Sequence, residues 1–243
     1  MRRATSPVLF YLLTAALLAF KIILIMRLFL ASSELGNHAN RLRRLAGSNR
    51  RVLVVRNARD YRTEEYAANV LGDKMALFAQ AGFSPQVLDL RLFFGRSGEL
   101  EDYLEQYDPG VIYCLGGNPF FLNAALRMSG MDKIIHRALF NDAVVYAGES
   151  AGTMVAAKNL APYMRGEDRK PEITKELYGK NAPMDALGLV NFYPITHAYR
   201  HDHAEKTDLY RRNISKIGGR AVLLDDYDVI IVDGRKSEVV RGQ

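Results

Sequence analysis

Ala143-Val144-Val145-Tyr146-Ala147-Gly148-Glu149-Ser150-Ala151-Gly152 is the stretch that decides the fold, and it leads into a helix-compatible run from Ala151 to Lys158. A short β-rich segment, Ala143–Ala147, meets Gly-x-Ser-x-Gly with no spacer. Strand, sharp turn, helix is the context in which this motif presents a nucleophile. The glycines allow a turn tight enough to lift the serine hydroxyl above a sheet, and the helix start leaves N–H groups unpaired. Ser150 is therefore the candidate nucleophile, and the Ala151 N–H a candidate oxyanion donor. The plainer alternative is a glycine-rich turn that bends the chain or holds a phosphate.

Outward from this point, short apolar runs without strict alternation recur at Leu28–Ala31, Arg51–Val55, Gln86–Leu90 and Val111–Leu115. Such runs are the mark of strands buried on both faces of a parallel sheet. Between them lie helical patterns: Glu64–Ala81, with Ala67, Leu71, Met75 and Phe78 on one face, then Pro119–Met128 and Met131–Phe140. Beyond the serine come a polar excursion over Arg165–Lys180, a strand over Val190–Thr196 and a helix over Ala204–Ile217. Short β segments at Ala221–Leu224, Val229–Val232 and Glu238–Val240 close the chain. This alternation predicts an α/β fold, a doubly wound and mostly parallel sheet with helices on both faces, in one domain.

Composition agrees with that reading. Over 243 residues, 49% are hydrophobic and 25% charged, which excludes a disordered chain, a collagen-like repeat and a multi-span membrane protein. The single cysteine, Cys114, rules out an intramolecular disulfide framework and multi-cysteine metal clusters. Its place inside an apolar strand marks it as a small buried hydrophobe. The net charge of +6 invites a nucleic-acid reading, but Arg2, Arg3 and Lys21 supply half of it, and the 218 residues from Met26 onward carry only +3. Arg41, Arg43, Arg44, Arg50 and Arg51 read as a solvated helix face and loop. No nucleic-acid partner is expected.

A nucleophilic serine needs a base. His197 directly follows Phe192-Tyr193-Pro194-Ile195-Thr196, at the C-terminal edge of a strand, where open α/β sheets place their sites. His201 and His203 fall in the next polar loop. The spacing His197-x3-His201-x-His203 can also be read as a metal cluster, but the serine already accounts for one histidine, and no metal or organic cofactor is expected. His38 and His136 read as ordinary surface or helix histidines. A second strand-to-helix turn, Leu115-Gly116-Gly117-Asn118-Pro119-Phe120, sets the backbone amides of Gly116 and Gly117 to complete an oxyanion hole.

Together these motifs, Gly-Gly-Asn-x-Phe, Tyr-x-Gly-x-Ser-Ala-Gly over Tyr146–Gly152 and a strand ending in His197, resemble the dipeptidase E (α-aspartyl dipeptidase) family of serine peptidases. The resemblance runs from residue 26 to about residue 240, including Leu28–Ser33 and Ala186–Val190. It implies the fold of the class I glutamine amidotransferases, with serine where those enzymes use cysteine, Ser150 as nucleophile and His197 as general base. It also implies an acid to hold the imidazole, for which two candidates stand: Asp168 in the polar excursion and Asp226 after the strand Ala221–Leu224. Departures from the family pattern are Leu115 and Pro119 where Gly and Thr are usual, Thr196 where Pro is common, and Glu149 before the nucleophile, as in one branch of the family. The function implied is a serine exopeptidase or dipeptidase acting on short peptides, including those with N-terminal aspartate, through an acyl-enzyme. A second reading is a non-peptidase hydrolase or a binding protein on the same fold. Either is compatible with a homodimer.

Residues 1–25 stand apart, with basic Arg2 and Arg3, an uncharged run from Val8 to Phe20, then Lys21 and four apolar residues. Three readings are open. Met26 is the true start and the 26–243 peptidase domain is cytoplasmic; or residues 8–30 anchor the protein in a membrane; or the segment is a cleaved signal, against which stands the lack of a convincing small-x-small site.

Overall fold

The computed structural model describes residues 26–242 except 34, 36, 37, 167 and 168, so the N-terminal extension lies outside the described residues. Strand β1 (Arg27–Ala31) is followed by α1 (Ala39–Ala46), β2 (Arg51–Val55), α2 (Glu64–Gln80), β3 (Ser84–Leu88) and α3 (Ser97–Tyr107). Next come β4 (Val111–Cys114), α4 (Pro119–Ser129), α5 (Met131–Phe140), β5 (Val145–Glu149) and the one-turn α6 (Ala151–Met154). After α7 (Lys175–Tyr178) the chain forms β6 (Tyr193–Ile195), α8 (Ala204–Lys216), β7 (Ala221–Leu223), β8 (Val229–Asp233) and β9 (Lys236–Val240).

Seven strands form one sheet in the order β3-β2-β4-β5-β1-β8-β9. The first five in that order run parallel, β8 lies antiparallel to β1, and β9 antiparallel to β8. Because side chains alternate across a strand, each central strand feeds two cores. Leu28, Leu30, Leu53, Val55, Ile112 and Cys114 face α3, α4 and α5. Phe29, Ala31, Val52, Val54, Val111 and Tyr113 face α1 and α2. This double burial is why the strands read as unbroken apolar runs. The remaining pair, β6 and β7, makes a separate two-stranded parallel sheet.

Several boundaries differ from the sequence reading, each for a local reason. The third strand lies at Ser84–Leu88 because the Asp89 carboxylate accepts from the Arg91 N–H and starts a 3-10 turn over Leu90–Phe93. Pro85 is tolerated there because β3 is an edge strand. The helix after Ser150 stops at Met154 rather than Lys158. The carbonyls of Val155, Ala156 and Ala157 accept instead from the amides of Leu187, Leu189 and Gly188. Within Val190–Thr196 only Tyr193–Ile195 is strand; α1 carries the helix face expected at Arg41, Arg43 and Arg44, whereas α3 is a helix with no counterpart among the expected elements. Helix α3 buries little beyond Leu100 and Leu104 in a charged sequence, so its period is faint.

The position of β1 also corrects the upper bound of the anchor reading. Leu28, Phe29 and Leu30 are fully buried between β5 and β8, so residues 27–30 belong to the central sheet and cannot form part of a membrane-spanning run. Among the described residues no helix is long and apolar enough to cross a membrane.

Candidate active site

Strands β1, β4 and β5 end side by side, and the turns leaving β4 and β5 converge there. Ser150 sits at φ 47° and ψ −103°, a left-handed conformation that costs a non-glycine residue about 1–3 kcal/mol. Neighbouring contacts impose it. The Ser150 N–H donates to the Ala31 carbonyl at 3.1 Å. The Thr153 hydroxyl lies 2.6 Å from that same carbonyl and 3.0 Å from that of Gly148. Both glycines of the motif are required by space. A Cβ at Gly148 would lie 2.4 Å from the Gly152 carbonyl carbon, and one at Gly152 would lie 2.2 Å from the Cys114 carbonyl oxygen.

The turn after β4 is built as tightly. Gly117 has φ 150°, and a Cβ there would lie 2.3 Å from the Ala58 carbonyl oxygen. Asn118 caps α4 by accepting from the Phe120 N–H at 2.9 Å, with Pro119 in the first turn, where no N–H is needed. Among the described residues neither the Gly117 nor the Ala151 N–H has a protein acceptor. Gly116 differs from the expectation: its N–H donates to Glu149 Oε1 at 3.1 Å. Its contribution is its missing side chain, since a Cβ would stand 3.2 Å from that of Ser150.

His197 follows β6 with φ 57°. Its backbone N–H donates to Ser32 Oγ at 2.8 Å, and Ser32, fully buried at the end of β1, fixes the backbone that carries the ring. Nε2 lies 3.1 Å from Ser150 Oγ, and Nδ1 is hydrogen-bonded to Asp226 Oδ1. With Nδ1–H donating to the carboxylate, Nε2 is left as the acceptor facing the serine. Burial holds the His197 pKa below its ordinary value against the opposing pull of Asp226, and Lys206 and Arg200 push it the same way as burial. The imidazole is thus neutral at neutral pH, the state a general base needs.

Asp226 stands in the turn between β7 and β8, where its N–H donates to Asp225 Oδ1 at 2.8 Å and Asp228 Oδ2 accepts from the Asp225 N–H at 2.8 Å. Buried His38, expected to be an ordinary histidine, holds the same turn by donating from Nε2 to the Tyr227 carbonyl at 2.8 Å. The other candidate acid, Asp168, lies outside the described residues. His203 packs edge-on to the His197 ring with centroids 5.6 Å apart and accepts from Lys206 Nζ at 2.8 Å, whereas His201 is exposed. Lys206 is pushed down to about 8, first by burial and then by Arg169, Arg165 and Arg200. Cys114 is fully buried, and burial pushes its thiol up to about 12, so it is no nucleophile.

Ser32, His38 and Thr153 had no signal in the sequence, because each acts on a partner distant along the chain. Glu149 was visible only as a departure from a pattern.

The profile of peptidase family S51 matches residues 28–240. An uncharacterized peptidase of Listeria monocytogenes is 26% identical over 141 residues, covering 57% of this chain and 63% of the relative. One of Pasteurella multocida is 32% identical over 127 residues, covering 51% and 55%. The chain thus spans a little over half the length of these curated relatives. Among solved structures, a peptidase E candidate from Listeria monocytogenes superposes with a TM-score of 0.68 at 24% identity, covering 90% of this chain and 100% of that one. A peptidase from an acI-B1 actinobacterium gives 0.66 at 17% identity, covering 92% and 91%. At these identities the two structures speak for the α/β fold.

Proposed function

Since the chain belongs to peptidase family S51, we propose that it is a serine exopeptidase that cleaves short peptides through Ser150, His197 and Asp226. The observation that carries this reading is the 3.1 Å approach of His197 Nε2 to Ser150 Oγ, on a ring whose Nδ1 is bonded to Asp226. As Ser150 Oγ attacks the scissile carbonyl, its proton passes to His197 Nε2, and Asp226 stabilises the imidazolium. The Gly117 and Ala151 amides receive the developing oxyanion. The imidazolium then protonates the leaving amine, which departs and leaves an ester on Ser150. A water deprotonated by His197 hydrolyses that ester.

The substrate we propose is a short peptide with N-terminal aspartate. Support comes from the cations around the histidine. Arg200 approaches Asp226 Oδ2 to 4.0 Å, and Lys206 titrates low partly because Arg169, Arg165 and Arg200 surround it. An anionic side chain entering this field is attracted to it. The test is a dipeptide panel with purified protein and the Ser150→Ala variant. Wild type cleaving Asp-X at least about tenfold faster than Ala-X, with the variant inert, is the expected result. Equal activity or equal inertness of the two proteins overturns the peptidase reading, and equal rates on Asp-X and Ala-X overturn the specificity alone.

A further inference from the structure

Next to the nucleophile, Glu149 is a buried acid with a role beyond the catalytic trio. Its side chain is 3% exposed at the end of β5, among partners from three other parts of the fold. Oε1 accepts from the Gly116 N–H at 3.1 Å. Oε2 accepts from the Tyr113 hydroxyl and lies near Lys74 Nζ of α2, each at 2.8 Å. A carboxylate taken out of water is tolerated only when paired and hydrogen-bonded, and here a full charge partner and two donors surround it. So demanding a group, one residue from Ser150, could have been replaced by an apolar side chain if it served only to fill space.

Its geometry suggests what it does. Glu149 is covalently joined to Ser150, while Gly116, at which a Cβ would lie 3.2 Å from that of Ser150, precedes Gly117, whose N–H has no protein acceptor among the described residues. One carboxylate therefore ties the elbow after β5 to the turn after β4. We propose that Glu149, held by Lys74 and Tyr113, is a positioning residue: by fixing the Gly116 peptide it sets the distance and direction of the Gly117 N–H relative to Ser150 Oγ. This rests on the peptidase reading above. A donor aimed at the oxyanion acts only in the transition state, so disturbing it lowers kcat and leaves ground-state binding in place.

Two variants test this. Glu149→Gln keeps the length but loses the charge that faces Lys74. Glu149→Asp keeps the charge but is one methylene too short to reach the Gly116 N–H. Both are assayed as full-length protein on the best dipeptide, with Ki measured for a boronic acid analogue of that substrate, whose tetrahedral adduct fills the oxyanion position. Deleting one oxyanion donor outright typically costs about 10²–10³ in kcat. Misaiming one is therefore expected to cost about 10–100-fold in kcat, with KM within about threefold and the boronate Ki rising in parallel with the kcat loss. Circular dichroism and a cooperative thermal melt verify that each variant is folded, and wild type is also treated with a fluorophosphonate to label Ser150. Folded variants with kcat and boronate Ki within about twofold of wild type overturn the inference while leaving the peptidase reading intact. A loss confined to KM overturns it too. If Glu149→Gln fails to fold, Glu149→Asp alone decides. A wild type that neither cleaves peptide nor reacts with the fluorophosphonate overturns both readings together.

Discussion

The two halves of the site are built differently. Ser150 and the Gly116–Gly117 turn sit on the ends of central strands, where Glu149 and Thr153 are buried and added atoms would strike backbone within 2.2–2.4 Å at three glycines. His197 and Asp226 ride on the small β6–β7 sheet and a surface turn, with side chains 17% and 28% exposed. The half proposed to carry the nucleophile and oxyanion donors is locked by close packing that also holds the domain together. The half proposed to carry the base and acid is steered by a few hydrogen bonds. Substitutions in the first half should therefore damage stability and activity together, and those in the second should damage activity alone.

The sharpest way to break this comparison is Gly152→Ala. Its methyl would overlap the Cys114 carbonyl, a backbone atom that cannot swing aside. We expect a loss of about 3 kcal/mol, a fall of roughly 10 °C in thermal melting, and no measurable activity. Asp226→Asn removes the charge that stabilises the imidazolium and should lower kcat by about 10³–10⁴-fold. Its melting temperature should stay within about 2 °C of wild type, because the group is partly exposed. A melting loss as large as that of Gly152→Ala would erase the distinction between the halves.

A pH profile follows from the direction of the His197 shift. The base must be neutral, and burial lowers its pKa from 6.5, so kcat/KM should be on its plateau at neutral pH. It should fall about tenfold per unit only below a midpoint under 6.5. A midpoint above 6.5 would mean that the Asp226 carboxylate, and not burial, dominates the ring. The smallest effect is expected from Ser32→Ala, which leaves the partly buried His197 N–H without its acceptor. About tenfold in kcat and about 1–2 kcal/mol of stability are the expected losses, with KM unchanged. This residue lies at the junction of the halves, so a purely catalytic or purely structural effect would assign it to one of them.

Much of the first half was legible in the amino-acid sequence. Gly148, Ser150, Gly152 and the Gly116–Gly117 pair fall within short windows, and tight strand-to-helix turns leave few other residue choices. His197 was visible because a strand pattern runs directly into it. The carboxylate that meets His197 was not, since Asp168 and Asp226 are both aspartates in polar stretches, and nothing local distinguishes them. Nor was the difference between neighbouring amides, where Gly116 donates to Glu149 and the Gly117 N–H has no protein acceptor among the described residues.

The sequence by itself determined the parallel α/β sheet, the tight Gly-x-Ser-x-Gly turn and the placing of His197 after a strand, because each depends on periodicity or on glycines within one turn. Tertiary structure decided the rest. Asp226 meets His197 across 29 residues of chain, Glu149 meets Tyr113 across 36, and Ser32 meets the His197 backbone across 165. Such pairs leave no pattern along the chain, because what selects them is strand order. Placing β1 between β5 and β8 brings Ser32, the elbow and the turn bearing Asp226 to one edge of the sheet.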